Sequence, residues 1–316
     1  MKGEQLKLVI VLPCYNEEEV LEETAQRLLP LMKKLVDEDK IDTNSKICFV
    51  DDGSRDRTWE VIEKLHSAHP EICGIKLSRN FGHQNALLAG LFSTDADAVI
   101  TIDADLQDDI SVIETMVDRY REGFKVVYGV KKNREADSGF KRFTAESFYM
   151  FMKFMGVKIV YNHADFRLLS REVLEHLRDF NEVNLFLRGI IPLIGFPSST
   201  VEYDLSERKK GVSKFTLRKM IGFALNGITS FSVFPLRLIT YTGFLIFVAT
   251  LFMTGWAFWV KYFTDDAVPG WASTVLPIYF IGGIQVLSIG IIGEYIGKMY
   301  METKSRPRFI IEKSVE

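Results

Sequence analysis

Apolar positions in the first 130 residues come as short runs separated by longer amphipathic stretches. Leu6–Leu12, Lys46–Val50, Ile72–Leu77 and the run at Val99 are brief and rich in Val and Ile. Such runs predict buried strands. Glu18 to Val36, Asp56–His69, Gln84–Phe92 and about Ile110 to Arg121 predict helices, the first with a bend at Pro30. A further strand is predicted at Lys125–Tyr128, and a helix beginning near Ser170. Repeated strand–helix order predicts an α/β domain with a mostly parallel sheet and helices on both faces.

The pattern changes beyond Arg237. About 23 residues without a charge separate Arg237 from Lys261, enough to cross a bilayer. A second uncharged stretch runs from Ala267 to Gly293, and the connecting loop carries Asp265 and Asp266. Lys and Arg gather on the other side, at Arg218, Lys219 and Arg237, then at Lys298, Lys304, Arg306 and Arg308. This asymmetry predicts a two-helix transmembrane hairpin with both chain ends in the cytoplasm. Trp256, Trp259, Tyr262 and Trp271 suit the far interface. The expected layout is an α/β domain over 1–214 and amphipathic interface helices over 215–235. The hairpin follows over 236–298, with spans near 238–260 and 272–293, then a cytoplasmic tail over 299–316.

Composition narrows the class. The 316 residues carry a formal net charge of −3, which offers no footprint for nucleic acid. Cys14, Cys48 and Cys73 are odd in number and lack C-x-x-C spacing, which argues against a disulfide framework or zinc site and for a reducing compartment. No G-x-G-x-x-G is present, so a dinucleotide fingerprint is missing.

Candidate chemistry clusters after the strands. Asp103 and Asp105 follow the Val99 run, and on a continuing strand they would share one side. Two carboxylates there repel unless a hard cation, Mg²⁺ or Mn²⁺, lies between them. Pro13-Cys14-Tyr15-Asn16-Glu17 reads either as a turn with a helix cap or as groups for a base or ribose. Asp51-Asp52-Gly53-Ser54 reads either as an Asx turn or as an acceptor for base or ribose hydrogens. Three polar strand ends together describe a nucleotide-diphosphate site with a metal. Asp165 is either a cap or Arg partner, or a catalytic acid aimed at that metal. His83 and His163 have no metal-ligand spacing and read as ordinary polar residues. Two basic clusters, Lys131 to Arg142 and Arg208 to Lys219, read either as solvated surface or, since both precede the apolar spans, as sites for an anionic lipid head group, with Gly211, Ser213 and Lys214 suited to a phosphate.

Six segments then carry a resemblance. They are Leu12-Pro13-Cys14-Tyr15-Asn16-Glu17-Glu18, Asp51-Asp52-Gly53-Ser54, Arg79-Asn80-Phe81-Gly82, Asp103-Ala104-Asp105-Leu106-Gln107, Asp165-Phe166-Arg167-Leu168-Leu169-Ser170-Arg171 and Gly293-Glu294-Tyr295-Ile296-Gly297. In this order they resemble the polyprenyl-phosphate glycosyltransferases, inverting family 2 enzymes of GT-A (Rossmann-like) fold that include the bactoprenol glucosyltransferases. Glu302-Thr303-Lys304-Ser305-Arg306-Pro307 is similar to the bacterial branch, whereas His83 and Gln84 depart from residues common among relatives.

The resemblance implies roles. Pro13, Tyr15, Asn16, Glu17, Asp51 and Asp52 would hold the nucleotide. Asp103 and Asp105, with Gln107, would hold a divalent metal. Asp165 and Asp105 would be catalytic, and Arg134, Arg142, Arg208, Ser213 and Lys214 would hold the acceptor phosphate. The implied reaction moves a hexose, glucose by the bacterial branch, from a UDP-sugar to undecaprenyl phosphate. UDP-GlcNAc and GDP-mannose are alternative donors, and a catalytically silent membrane scaffold is the alternative outside enzymes. A bacterial inner-membrane location, a homo-oligomer and a separate downstream flippase are also implied. A processive synthase is disfavoured, since no Gln-x-x-Arg-Trp is present.

Overall fold

The computed structural model describes residues 5–105, 107–132, 163–182, 186–204, 234–263 and 271–316. Eight strands form one sheet in the order β7-β5-β6-β4-β1-β2-β3-β8. They are β1 Leu8–Cys14, β2 Lys46–Asp51, β3 Ile72–Leu77, β4 Ala98–Thr101, β5 Val126–Lys131, β6 His163–Ser170, β7 Ser198–Tyr203 and β8 Ile311–Val315. The helices are α1 Leu21–Asp37, α2 Thr58–Ala68, α3 His83–Ser93, α4 Val112–Arg121, α5 Arg171–Arg178, α6 Leu187–Ile194, α7 Phe234–Phe263 and α8 Trp271–Thr303.

The central strands β4, β1, β2 and β3 are parallel, as are β5 and β7. β6 runs antiparallel to both its neighbours, and β8 runs antiparallel to β3. The sheet is therefore mixed: β1–β5 and β7 run in one direction, in keeping with the mostly parallel expectation, and β6 and β8 run against them. Alternate residues of β1 explain why helices cover both faces. Leu8, Ile10 and Leu12 point to the core under α1, α2 and α4, while Val9 and Val11 point to the core under α3, α5 and α6. Each fully buried Leu, Ile or Val contributes about 1.5–3 kcal/mol. α3 lies close on the sheet because Gly90 has no side chain; a Cβ there would meet Val11 Cγ1 at 2.4 Å.

The structure departs from expectation at three places. β4 ends at Thr101 rather than continuing, so Asp103 and Asp105 do not sit on a strand; Ala104 and Asp105 form a turn. Residues 311–315, read from sequence as part of a tail, form the sheet's edge strand β8. α8 continues past 293 to Thr303. Within the described residues, one stretch, Phe280–Thr303, is long and apolar enough to cross a membrane. Phe252, Trp256 and Trp259 of α7 and Phe280, Val286 and Leu287 of α8 are exposed apolar side chains. The interface helices expected over 215–235 fall almost wholly outside the described residues.

Candidate active site

In a parallel sheet all strands end at one edge, and ligands bind where the connections leave in opposite directions. Here that point lies between β1 and β4. Cys14, Asp51, Leu77 and Thr101 close their strands at this edge. β6 enters from the same edge because it is antiparallel. Thr101 pairs with Arg167, so two residues beyond Thr101 and two before Arg167 fall side by side. Those residues are Asp103 and Asp165. Thr101 Oγ1 donates to the Asp165 carbonyl and ties the two segments together.

The loops after β1 and β2 are zipped to each other. Asn16 has φ +53, which Asn tolerates better than most residues. Its N–H donates to Ser54 Oγ at 2.9 Å, and its Oδ1 accepts from Arg55 N at 2.8 Å. Glu17 N donates to Thr58 Oγ1 at 2.9 Å. Asp51 Oδ1 accepts from Ser54 N, three residues on, at 2.9 Å and holds the turn through Gly53. Its Oδ2 is buried without a hydrogen-bond partner, and burial raises its pKa. Asp52 turns away to the β3–α3 loop, where its carboxylate accepts from Phe81 N at 2.7 Å and Gly82 N at 3.0 Å. Pro13 and Tyr15 stand on either side of Cys14, Pro13 buried in β1 and Tyr15 half-buried beyond it.

Asp165 is the electrostatic centre. Arg167 NH2 donates to its Oδ1 at 2.6 Å, and Arg188 NH2, from the first turn of α6, to its Oδ2 at 3.1 Å. His83 Nε2, from the first turn of α3, stands 3.3 Å from Asp165 Oδ2 and 3.6 Å from Asp103 Oδ1. Burial by itself would raise the Asp165 pKa, but Arg188, the His83 hydrogen bond and Arg167 together hold it well below the usual carboxylate range. Burial opposes charge on His83, yet Asp165 and Asp103 outweigh it and raise the ring's pKa. Asp103 moves the other way: burial raises it, His83 partly offsets this, and Asp165 and Asp105 add to the rise.

The Asp103–Asp105 turn fits a hard cation. Its donors are carboxylate oxygens, and Asp103 is raised by burial and by the negative neighbours that crowd it. Gln107 N–H donates to Asp105 Oδ1 at 3.2 Å and braces the turn. Among the described residues no group of three or more His, Cys, Asp or Glu is arranged to hold a metal. A cation would therefore take two carboxylates and complete its shell from diphosphate and water, the habit of Mg²⁺.

The five acceptor-site candidates, Arg134, Arg142, Arg208, Ser213 and Lys214, lie outside the described residues. His83 is the main surprise, since its spacing offered no metal site and it read as an ordinary polar residue. Its usable signal was position: it follows Gly82 at the end of the β3 loop, the same edge as the acids. Gln84 accepts from Leu187 N at 3.1 Å and so holds the start of α6. Arg188 had no local signal.

A mixed α/β sheet with acids and tight turns gathered at its switch point is the frame of a nucleotide-dependent transferase. The chain belongs to glycosyl transferase family 2, whose pattern matches residues 9–178, from β1 through α5. A second pattern, the GtrB C-terminal hairpin, matches residues 234–299, across α7 and most of α8. The uncharacterized glycosyltransferase YkoT of Bacillus subtilis (strain 168) is 49% identical over 314 residues, covering 99% of this chain and 93% of that protein. The bactoprenol glucosyl transferase of Shigella phage SfX is 42% identical over 312 residues, covering 97% of this chain and 99% of that protein. Among solved structures, mannosyl-3-phosphoglycerate synthase from Rubrobacter xylanophilus aligns with a TM-score of 0.49 at 16% identity over 75% of each chain.

Proposed function

We propose that this glycosyltransferase moves a hexose, glucose, from a UDP-sugar to a polyprenyl phosphate with inversion at the anomeric carbon. The observation that carries the reading is one chain holding both the acid-lined switch-point site and an apolar helical stretch, Phe280–Thr303, long enough to cross a membrane. The near-full-length similarity to proteins named bactoprenol glucosyl transferase supports the donor sugar and the lipid acceptor. UDP-GlcNAc and GDP-mannose remain the competing donors.

Pro13, Tyr15, Asn16, Glu17, Asp51 and Asp52 form the nucleotide side of the site. Asp51 Oδ2, an acceptor without a partner, supports a base N–H at this edge. Asp52 contributes through the backbone loop it holds rather than through a free carboxylate. Asp103 and Asp105, with Gln107, would hold a divalent cation, Mg²⁺ or Mn²⁺. The metal, when bound, offsets negative charge that grows on the leaving nucleoside diphosphate.

The acceptor phosphate is mostly dianionic at pH 7, because its second pKa is about 6. It attacks without first losing a proton. Asp165 suits this chemistry, since an acid pinned by two guanidinium groups is a poor base. Its work is to hold His83 and Arg188 beside Asp103, where phosphate charge must be met. Arg134, Arg142, Arg208, Ser213 and Lys214 are assigned to the acceptor phosphate on the sequence alone.

The hairpin is assigned two membrane passes, with the catalytic domain and both termini on the cytoplasmic side of a bacterial inner membrane. Such a tether raises the effective concentration of a lipid acceptor. A homo-oligomer and a separate flippase complete the proposal. The test is label transfer from a panel of sugar nucleotides to extractable undecaprenyl phosphate, with and without Mg²⁺ or Mn²⁺. Label in lipid from UDP-glucose alone is expected, and no label from any donor overturns the function.

A further inference from the structure

The chain does not stop when α8 ends. Ser305, with φ +46, turns it back toward the catalytic domain. Arg308 NH2 then donates to the Phe180 carbonyl and to Asn181 Oδ1, the latter at 3.2 Å. Phe309, partly buried, packs against the same apolar core as Phe180, Ile194 and Phe196. The Ile310 carbonyl accepts from Ser78 N at 3.0 Å, and β8 then pairs with β3.

These contacts fall on the two segments that deliver Arg188 and His83 to Asp165. Phe180 and Asn181 lie in the connection from α5 to α6, and Arg188 is in the first turn of α6. That turn is already fixed on one side by Gln84. Ser78 lies at the end of β3, immediately before the loop that Asp52 clamps and that leads to His83.

We propose that Arg308 is a positioning residue, and that the segment from Ser305 to Ile310 is a strap seating the α5–α6 connection so that Arg188 meets Asp165. The strap makes the active site depend on the end of α8. Its kinetic consequence rests on the proposed sugar-transfer reaction, but its structural consequence stands apart from that reaction.

The energetic logic is local. A guanidinium has a fixed fork of donors, so one Arg can hold a carbonyl and an amide oxygen together. Misplacing a charged group near reacting atoms by about 1 Å can cost about 100-fold in rate.

The test uses the full chain in lipid nanodiscs, as wild type, Arg308→Ala, Arg308→Lys and Lys313→Ala. Lys313, on β8, pairs with Glu63 away from the α5–α6 connection and serves as the comparison. Two quantities are read: steady-state kinetics with UDP-glucose and undecaprenyl phosphate, and amide hydrogen exchange at Gly189 and Ile190. Those amides donate to the Phe186 carbonyl at 2.8 Å and 3.1 Å and report the first turn of α6. Arg308→Ala should lower kcat about tenfold or more with KM for UDP-glucose within about twofold, and should speed exchange at both amides. Arg308→Lys should recover part of both losses, and Lys313→Ala should change neither. Unchanged exchange in Arg308→Ala overturns the proposal, as does equal loss in Lys313→Ala. If wild type transfers no sugar, the function falls, while the exchange comparison still decides the strap.

Discussion

His83 Nε2 stands 3.3 Å from Asp165 Oδ2, joining the first turn of α3 to the start of β6 across the mouth of the sheet. With Arg167 and Arg188 on the same carboxylate, Asp165 becomes a hub for two guanidinium groups and an imidazole. A hub and a base make opposite demands. The hub must stay anionic, and a base must accept a proton.

Asp165→Asn keeps the shape and removes the charge. Arg167, almost fully buried, would lose its counter-charge. Removing one partner of a buried pair costs about 3–5 kcal/mol. We expect a fall in Tm of many degrees together with loss of transfer, read by thermal unfolding and label transfer. An unchanged Tm with lost turnover would assign Asp165 to chemistry instead.

Asp103→Ala and Asp105→Ala should each abolish transfer while the fold is retained, because both residues sit beyond the end of β4. Chelation of the wild type should do the same, with recovery on adding Mg²⁺ or Mn²⁺. Full activity after exhaustive chelation would remove the metal from the mechanism.

Gly53→Ala should weaken UDP binding without unfolding the domain. A Cβ at Gly53 would lie 2.3 Å from the Arg79 backbone carbon, and φ is +64. Left-handed backbone alone costs a non-glycine residue about 1–2 kcal/mol. The β2–α2 and β3–α3 loops would have to separate. Calorimetric titration with UDP reads the effect, and wild-type affinity would refute it.

Glu114 supplies an acid-pH prediction. It accepts from Lys34 at 2.6 Å and Lys40 at 2.7 Å, joining α4 to the end of α1. The Lys34 hydrogen bond, then that of Lys40, lowers its pKa to about 2. An unfolded glutamate titrates near about 4.3. A depressed folded pKa means stability present above the unfolded value and lost as pH falls toward 2. Glu114→Gln should therefore lower the urea midpoint at pH 7 and flatten its decline between about pH 4.5 and 2.5. Parallel curves for both proteins would contradict this.

Much of the domain was legible along the chain. Strong alternation and brief Val/Ile runs marked β1 through β5 and α1 through α4, with β3 matching Ile72–Leu77 to the residue. β6, β7 and β8 were not foreseen. β8 is largely exposed and charged, Ile-Glu-Lys-Ser-Val, so no burial pattern announced it. It is a strand because β3 offers it an unpaired edge, and an edge is a property of the assembled sheet.

What the sequence by itself determined was the inventory: strands that must be buried, acids placed just after them, and long uncharged runs that water does not favour. Local sterics and hydrophobic period act over a few residues, so they can be read in order. What only the tertiary structure decided was which side chains meet. The pairing of Thr101 with Arg167 set Asp103 beside Asp165, and packing of α3 and α6 brought His83 and Arg188 to them. Arg188 reaches Asp165 across 23 positions of chain and Thr101 across 64, and no local preference encodes a meeting at that range.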